Sequence, residues 1–391
     1  MQPTPIAAFS FSRLVHPGVF LAALALAQPR AARAEDSVSY KYQDYREAGG
    51  RVAVQVQSTA IEKSLGPDMR LKLQGVIDAI AGATPSGEPA PTPDGQVPLS
   101  QMHDRRKAWS ADLSRQFERV NVALGVANSR EHDYVSTGWS VNTLNDFNQK
   151  NTTLLLGVAA TKDDVKVFYQ GPYASKRTAD AIVGLTQLLS PQTSVTANLS
   201  FGHARGYLDD PYRVIRKNTE ILPGLSLPLT YPENRPDKRD RWTVFLGTNH
   251  AVRSLSGAVE ASYRWFHDTW GTTAHTLDVA WWQSCGEHFR LSPSVRYYRQ
   301  TATNFYRLSL DGTTFTPALR PRPAGPFYSA DYRLASLETW NLGLKAVWTI
   351  SDRWQFDAAA ERYEMRGRDG RTPESAFPRA AIWTLGAKFA W

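Results

Sequence analysis

The sequence predicts an all-β fold: a transmembrane antiparallel up-and-down β-barrel of about 16 strands, with long loops at one rim and short turns at the other. Three observations carry this. Large apolar residues fall on every second position in segment after segment, the period of a strand whose successive side chains point to opposite faces. Short and long connections alternate along the chain, as in barrels with short periplasmic turns and long outer loops. The chain also carries 12 Trp, 16 Tyr and 16 Phe, a load that suits aromatic girdles at two membrane interfaces.

The first element is a leader. Arg13 precedes the apolar run "LVHPGVFLAALALA", and the small residues of "AARA" follow, giving the three parts of a secretory signal peptide over residues 1–34. The run is too short to cross a bilayer as a helix. Cleavage is expected after Ala34, with Ala27 as an alternative, which leaves residues 35–391 as one exported barrel domain. Loss of Arg13, Arg30 and Arg33 lowers the net charge from +8 to +5. So small a surplus, without a basic block interleaved with aromatics, argues against nucleic acid as a partner. The lone cysteine, Cys285, makes no internal disulfide, and neither CxxC nor CxxCH occurs, so no cofactor is expected on this chain. Nor is a resident metal.

The strands follow in order. "SVSYKYQDY" (Ser37 to Tyr45) opens the barrel, and if it is not a membrane strand the count falls to about 14. "RVAVQVQ" (Arg51 to Gln57), "RLKLQGVI" (Arg70 to Ile77), "RVNVALGVA" (Arg119 to Ala127) and "TSVTANLSF" (Thr193 to Phe201) continue the alternation. "SGAVEASYRW" (Ser256 to Trp265), "HTLDVAW" (His275 to Trp281), "WQFDAAAERY" (Trp354 to Tyr363) and "AIWTLGAKFAW" (Ala381 to Trp391) complete it. Short turns are expected at Ser64–Asp68, Asp146–Asn151, Ser190–Gln192, Arg253–Gly257, Cys285–His288 and Ile350–Arg353. Long outer loops are expected at Ala81–Arg105, Lys162–Lys176, Tyr207–Lys238, Thr301–Ala330 and Gly367–Pro378.

In lipid every backbone group needs a partner, so the last strand is expected to pair with the first. Trp383, Leu385, Phe389 and Trp391 share the apolar side of that strand, a pattern resembling the signal read by the outer-membrane insertion machinery. The expected place is therefore the outer membrane of a Gram-negative bacterium, as an integral protein in contact with its lipids and lipopolysaccharide.

Setting Trp391 outward, and the apolar face of every other strand outward, fixes what lines the lumen. On the C-terminal strands these are Arg290, Arg296, Arg333, Lys345, Asp357, Glu361 and Lys388. Arg241, Glu260, Arg264 and Asp278 come from the middle of the chain, and Lys41, Arg70, Lys72 and Asp112 from its start. The expected interior is polar and mixed in sign. Either its basic C-terminal sector favours anions in a water-filled bore, or Arg and acid pairs brace the wall.

Several stretches carry a resemblance: "DAIAGATPSG" (Asp78 to Gly87), "DFNQKNTT" (Asp146 to Thr153), "GYLDDPYRV" (Gly206 to Val214) and "ENRPDKR" (Glu233 to Arg239). "SYRWFHDTWGTTAHTL" (Ser262 to Leu277), "RYYRQTATNFY" (Arg296 to Tyr306) and "SADYRLA" (Ser329 to Ala335) extend it over most of the exported chain. Together they resemble the domain of unknown function 3570 (DUF3570) family of predicted bacterial outer-membrane β-barrels. Ala81 stands where the family pattern has Ser. The resemblance implies no activity residue by residue. It does imply a neighbourhood of flavin transferases, thioredoxin-like proteins and small lipoproteins, hence extracytosolic redox with a separate periplasmic or lipoprotein partner.

The loop rim offers chemistry of its own. "HDTWG" places His267 and Asp268 in an outer turn, and "YLDDPY" places Asp209 and Asp210 in the loop region. A His among carboxylates can activate water for hydrolysis, hold a divalent metal, or bridge lipopolysaccharide phosphates with Arg213 and Arg216. The same residues are also ordinary turn formers. "GATPSGEPAPTPDG" (Gly82 to Gly95) and "RPRPAGP" (Arg320 to Pro326) are Pro-rich and suit either flexible loops or a plug. The function expected from all this is a channel or conduit or scaffold, non-enzymatic, with a possible tie to extracytosolic electron transfer. A plugged surface-binding barrel is the alternative, and an outer-membrane hydrolase built on the His/Asp rim is the second alternative. Whether the long loops fill the bore separates the first two.

Overall fold

The computed structural model describes residues 36–92, 95–167, 171–317, 319–320 and 322–391; the leader expected over residues 1–34 lies outside them. The chain opens with β1 (Ser37–Glu47), β2 (Val52–Ser64), β3 (Met69–Pro85), β4 (Leu99–Phe117), β5 (Val120–Arg130) and β6 (Tyr134–Phe147). β7 (Thr152–Val167), β8 (Gly171–Ser190) and β9 (Thr193–Gly206) follow, then a hairpin of β10 (Val214–Leu222) and β11 (Leu225–Pro232). β12 (Lys238–Val252), β13 (Gly257–Asp268), β14 (Thr273–Cys285), β15 (Phe289–Gln300), β16 (Leu337–Thr349), β17 (Trp354–Gly367) and β18 (Arg379–Ala390) complete it. Among the described residues no helix is long and apolar enough to cross a membrane.

All strands but β10 and β11 form one closed antiparallel barrel of 16 strands. β9 pairs directly with β12, so the β10–β11 hairpin stands apart in the loop between them. The seam is β1 against β18, with Ser37 opposite Ala390 and Glu47 opposite Ala380. Beyond it the Trp391 amide donates to the Asp36 carbonyl at 3.0 Å. The opening segment is thus a full member of the ring, and the smaller strand count is set aside.

Side-chain phase explains why these residues close a barrel. On β16, Trp340, Leu342, Leu344 and Trp348 are exposed, while Asn341 and Val347 between them are buried. On β18, Trp383, Leu385 and Trp391 are exposed, and Ile382 and Thr384 are buried. From Trp340 to Trp348 a strand rises about 27 Å, which a tilt of about 40° reduces to roughly 21 Å along the barrel axis. Trp383 and Trp391 repeat that spacing on β18. Two aromatic girdles therefore bound an outward apolar band of membrane height. Trp109, Trp139, Trp242 and Trp265 belong to the loop-side girdle, and Trp354, Phe356 and Phe389 to the turn-side one.

Above the loop-side girdle the two faces exchange character. On β7, Asp163, Val165 and Val167 turn inward and are buried, while Lys162, Asp164 and Lys166 face out. Tyr45, Val52, Val54, Tyr363 and Ile382 likewise pack together on the inner face. Strands of 17 residues (β3), 19 (β4) and 20 (β8) are longer than the roughly 10 needed to span. They continue beyond the membrane band as a wall that is wet outside and apolar inside. This corrects the loop expected at Lys162–Lys176: both flanks are strand, and the polar residues there read as loop only because the apolar face has moved to the interior. Not every loop-side connection is long, either. Ala48–Gly50 joins β1 to β2 in a tight turn that Gly49 and Gly50 permit with φ of 73° and 67°.

Candidate functional site

A barrel of this strand number leaves an aqueous bore unless something fills it. Here residues 86–92 and 95–98, 207–216, 231–237, 301–317, 322–336 and 368–378 fold back over the loop-side opening. Their apolar side chains form a core of their own. Ile215, Leu310, Tyr328 and Ala330 pack together, as do Trp270, Phe305 and Leu334. Val97, Tyr332, Ala376 and Phe377 pack against Leu337 of the wall. The inner face at this level is apolar because it receives this plug, which qualifies the expectation of a polar interior throughout.

Charged groups tie the plug together. Asp331 accepts from Arg333 Nε at 2.7 Å and from Arg235 Nη2 at 2.9 Å. Arg333 Nη2 also donates to Asp210 at 2.6 Å. Arg235 spans Glu233 with Nη2 at 2.9 Å, and its backbone amide donates to Asp209 at 2.6 Å. The Ser329 hydroxyl donates to Glu233 at 2.6 Å. Arg213 lies 3.7 Å from Asp210 and donates to Thr84 of β3 at 3.0 Å, fastening the plug to the wall. Glu233 and Asp331 are each 1% exposed.

Four carboxylates thus face three guanidiniums out of water. Burial pushes Glu233 up to about 8, helped by Asp209, Asp210 and Asp331 and opposed by Arg235. Burial likewise pushes Asp209 up to about 6. Asp331 is also buried, but Arg333, Arg213 and Arg235 outweigh that and hold it well below the carboxylate range. The excess proton of the cluster therefore belongs to the Glu233–Asp209 side.

The rim candidates do not converge. His267 and Asp268 are adjacent on β13 and so face opposite sides. His267 points outward between Trp242 and Trp265, at ring distances of 6.2 and 6.0 Å, with Nδ1 at 3.0 Å from the Thr273 hydroxyl. Asp268 is fully buried inside, binds Arg239 at 2.8 Å and accepts the amides of Trp270 and Thr272 at 3.0 Å. It shapes the β13–β14 turn. Asp209 and Asp210 sit in the plug. One acidic group not anticipated from the sequence lies at the rim: Asp104, Glu131 and Asp133 each offer an oxygen within 4.8 Å of the others.

Below the plug the wall charges mostly answer one another across the ladder. Lys41 and Lys345 share Asp357 at 4.0 and 3.8 Å. Arg70 and Lys72 share Glu62, the latter at 3.7 Å, and Arg241 meets Asp180 at 3.2 Å. Arg296 binds Asp278. Asp112 stands opposite Lys72, Glu260 accepts Trp282 Nε1 at 3.2 Å, and Glu361 accepts Asn341. Arg264 lies over the Phe245 ring at 5.9 Å. Arg290 and Lys388 are exposed within the bore, as is Ser294, so water enters from the turn side. Arg333 is the exception among the expected wall residues. It belongs to a single 3-10 turn, Tyr332–Leu334, capped by Asp331, and β16 begins only at Leu337. Among the described residues the exposed wall charges thus lie at the turn side, and the packed clusters lie at the loop side.

A family model described as protein of unknown function (DUF3570) matches residues 7–175 and 170–376. No curated protein matches the chain. Among solved structures, a bacterial polysaccharide outer membrane secretin is 9% identical with a TM-score of 0.50, covering 92% of this chain and 99% of that one. The siderophore receptor PirA from Pseudomonas aeruginosa is 10% identical with a TM-score of 0.45, and the match covers 90% of this chain but only 61% of the receptor. The CymD monoaromatic hydrocarbon channel is 9% identical with a TM-score of 0.42, covering 92% and 89%. The likeness is one of barrel fold.

Proposed function

Because the chain belongs to the DUF3570 family of proteins of unknown function, we propose a role read from its own geometry: a self-plugged, non-catalytic outer-membrane barrel that binds or scaffolds a partner. The observation that carries this is the buried network of Asp210, Glu233, Arg235, Asp331 and Arg333, which locks two long loops over the bore. A diffusion pore needs its bore free, whereas here a solute from the loop side meets a packed core. The vestibule that remains is reached from the turns, which face the periplasm in this reading. The protein is integral to the outer membrane of a Gram-negative bacterium, among its lipids and lipopolysaccharide. Trp383, Leu385, Phe389 and Trp391 then serve as its handle for the insertion machinery.

The test is planar-bilayer conductance of the refolded chain at neutral pH. The proposal expects a folded barrel without sustained current. Large stepwise currents from the wild-type chain would sink it in favour of an open channel. An electron-transfer role with a periplasmic or lipoprotein carrier rests on the family resemblance alone. A deletion strain that reduces extracellular acceptors at the normal rate would remove that part.

A further inference from the structure

The outer surface of the barrel carries a groove of about 840 Å³ across β2 to β5, just above the loop-side girdle. Its floor is small, with Ala79 and Ala81 of β3 beside Ala53 of β2. One flank rises from β4 and β5 as the long side chains of Arg105, Lys107 and Arg130. Lys107 and Arg130 are direct cross-strand partners on this face, both exposed. Like charges directly opposite destabilise a sheet, so the pair calls for an anion between them. Among the described residues no ion pair satisfies Arg105, Lys107 or Arg130. Of the two carboxylates in the lining, Asp104 accepts the backbone amides of Arg105 at 2.7 Å and His132 at 3.3 Å, and Glu131 stands next to Arg130.

Height identifies the anion. Lys107 lies two positions above the exposed Trp109 on the same face, about 7 Å further along the strand. That is the level of lipid headgroups when Trp109 marks the interface. The groove is also one part of a wider pattern. Among the described residues, outward cations above the loop-side girdle such as Arg177, Arg205, Arg299 and Arg362 outnumber carboxylates, while the strands at the turn side carry only Lys63 and Arg115 outward. The loop-side leaflet is the one this surface complements with positive charge.

We propose that this groove binds the net-anionic headgroup of a lipid in the loop-side leaflet, one whose phosphate no headgroup cation neutralises, an inference that rests on the membrane-barrel reading but not on the plug. Arg105, Lys107 and Arg130 take the phosphate oxygens, and the alanine floor accommodates the headgroup's bulk. The experiment is native mass spectrometry of the full chain released from phosphatidylcholine nanodiscs containing a minor fraction of phosphatidylglycerol. Preferential retention of phosphatidylglycerol is expected, reduced roughly tenfold in a variant combining R105E, K107E and R130E. A turn-side variant combining K63E and R115E keeps wild-type retention. Heat-modifiable gel migration checks that each barrel is folded, and K107Q replaces the triple variant if that one fails to fold. Equal retention of the two lipids overturns the proposal, as does a folded groove variant that retains lipid like the wild type. Inorganic phosphate that strips the lipid completely also overturns it, by assigning the groove to a free ion. None of these results bears on conductance, so failure here leaves the plugged-barrel reading standing.

Discussion

Arg333 Nη2 donates to Asp210 at 2.6 Å across 123 positions of the chain, so one guanidinium joins two loops that come from opposite sides of β12 to β15. The same side chain holds Asp331. Arg333→Ala leaves both carboxylates buried without it, a change that costs about 3–5 kcal/mol. The strand ladder is untouched, so the variant should migrate as a folded barrel yet show stepwise conductance. Arg333→Lys should restore closure only in part, because an ammonium cannot present the same fork. Silence from a folded Arg333→Ala barrel would mean that packing alone holds the plug.

Acid–base balance gives a second expectation. Glu233 and Asp209 are raised to about 8 and about 6, so their contribution to plug stability is full below the ordinary carboxylate range and is lost as pH climbs through those values. Asp331 is lowered, so its contribution is present above that range and fails only in strong acid. Closure should therefore be firmest in mild acid and loosen from pH 6 upward, read as channel-opening frequency against pH. Glu233→Gln should abolish the alkaline limb near pH 8.

Packing supplies a third. Leu310 is fully buried beside Ile215, Tyr328 and Ala330. Leu310→Ala should weaken the plug by about 2–5 kcal/mol. Trypsin should then cut after the exposed Arg307, which precedes Leu308 in the loop between β15 and β16, while the barrel stays intact. Resistance equal to wild type would count against a cooperative plug.

The assignment of faces can be checked on neighbouring residues. Leu344 is outward and 53% exposed, whereas Lys345 is inward against Asp357. Leu344→Arg places a charge on the lipid face near mid-band and should cost about 2–4 kcal/mol in denaturant unfolding from lipid. Lys345→Gln should cost much less. The reverse order would put β16 out of register by one residue.

What could be read from the chain and what could not divide along one physical line. A period of two is local, so the inward side of β17 and β18 follows from Trp391, Asp357 and Lys388 alone. The plug is not local: Arg235 meets Asp331 across 96 positions, and nothing in either neighbourhood names the other. Asp331 and Arg333 lie in an alternating stretch, "SADYRLA", that imitates a strand until a side-chain cap turns it. His267 and Asp268 look like a pair in the sequence for the very reason that separates them in space, since neighbours on a strand cannot face one point. The exchange of apolar faces above the girdle leaves one signal that reasoning from the sequence passed over: "DDVKV" alternates in the opposite phase to the membrane part of the same strand.

The seam between β1 and β18 also sets a timetable. Neighbouring hairpins form from nearby segments, but Ser37 meets Ala390 only after nearly the whole chain between them is in place, and contacts so distant in sequence form slowly. The loops that seal the mouth dock on wall residues far apart in the chain, with Thr84 of β3 receiving Arg213 and Leu337 of β16 receiving Val97 and Phe377. Docking must wait for the ring. Sealing is therefore a property of the whole ring, and no single hairpin carries enough of the docking surface to hold the mouth shut by itself.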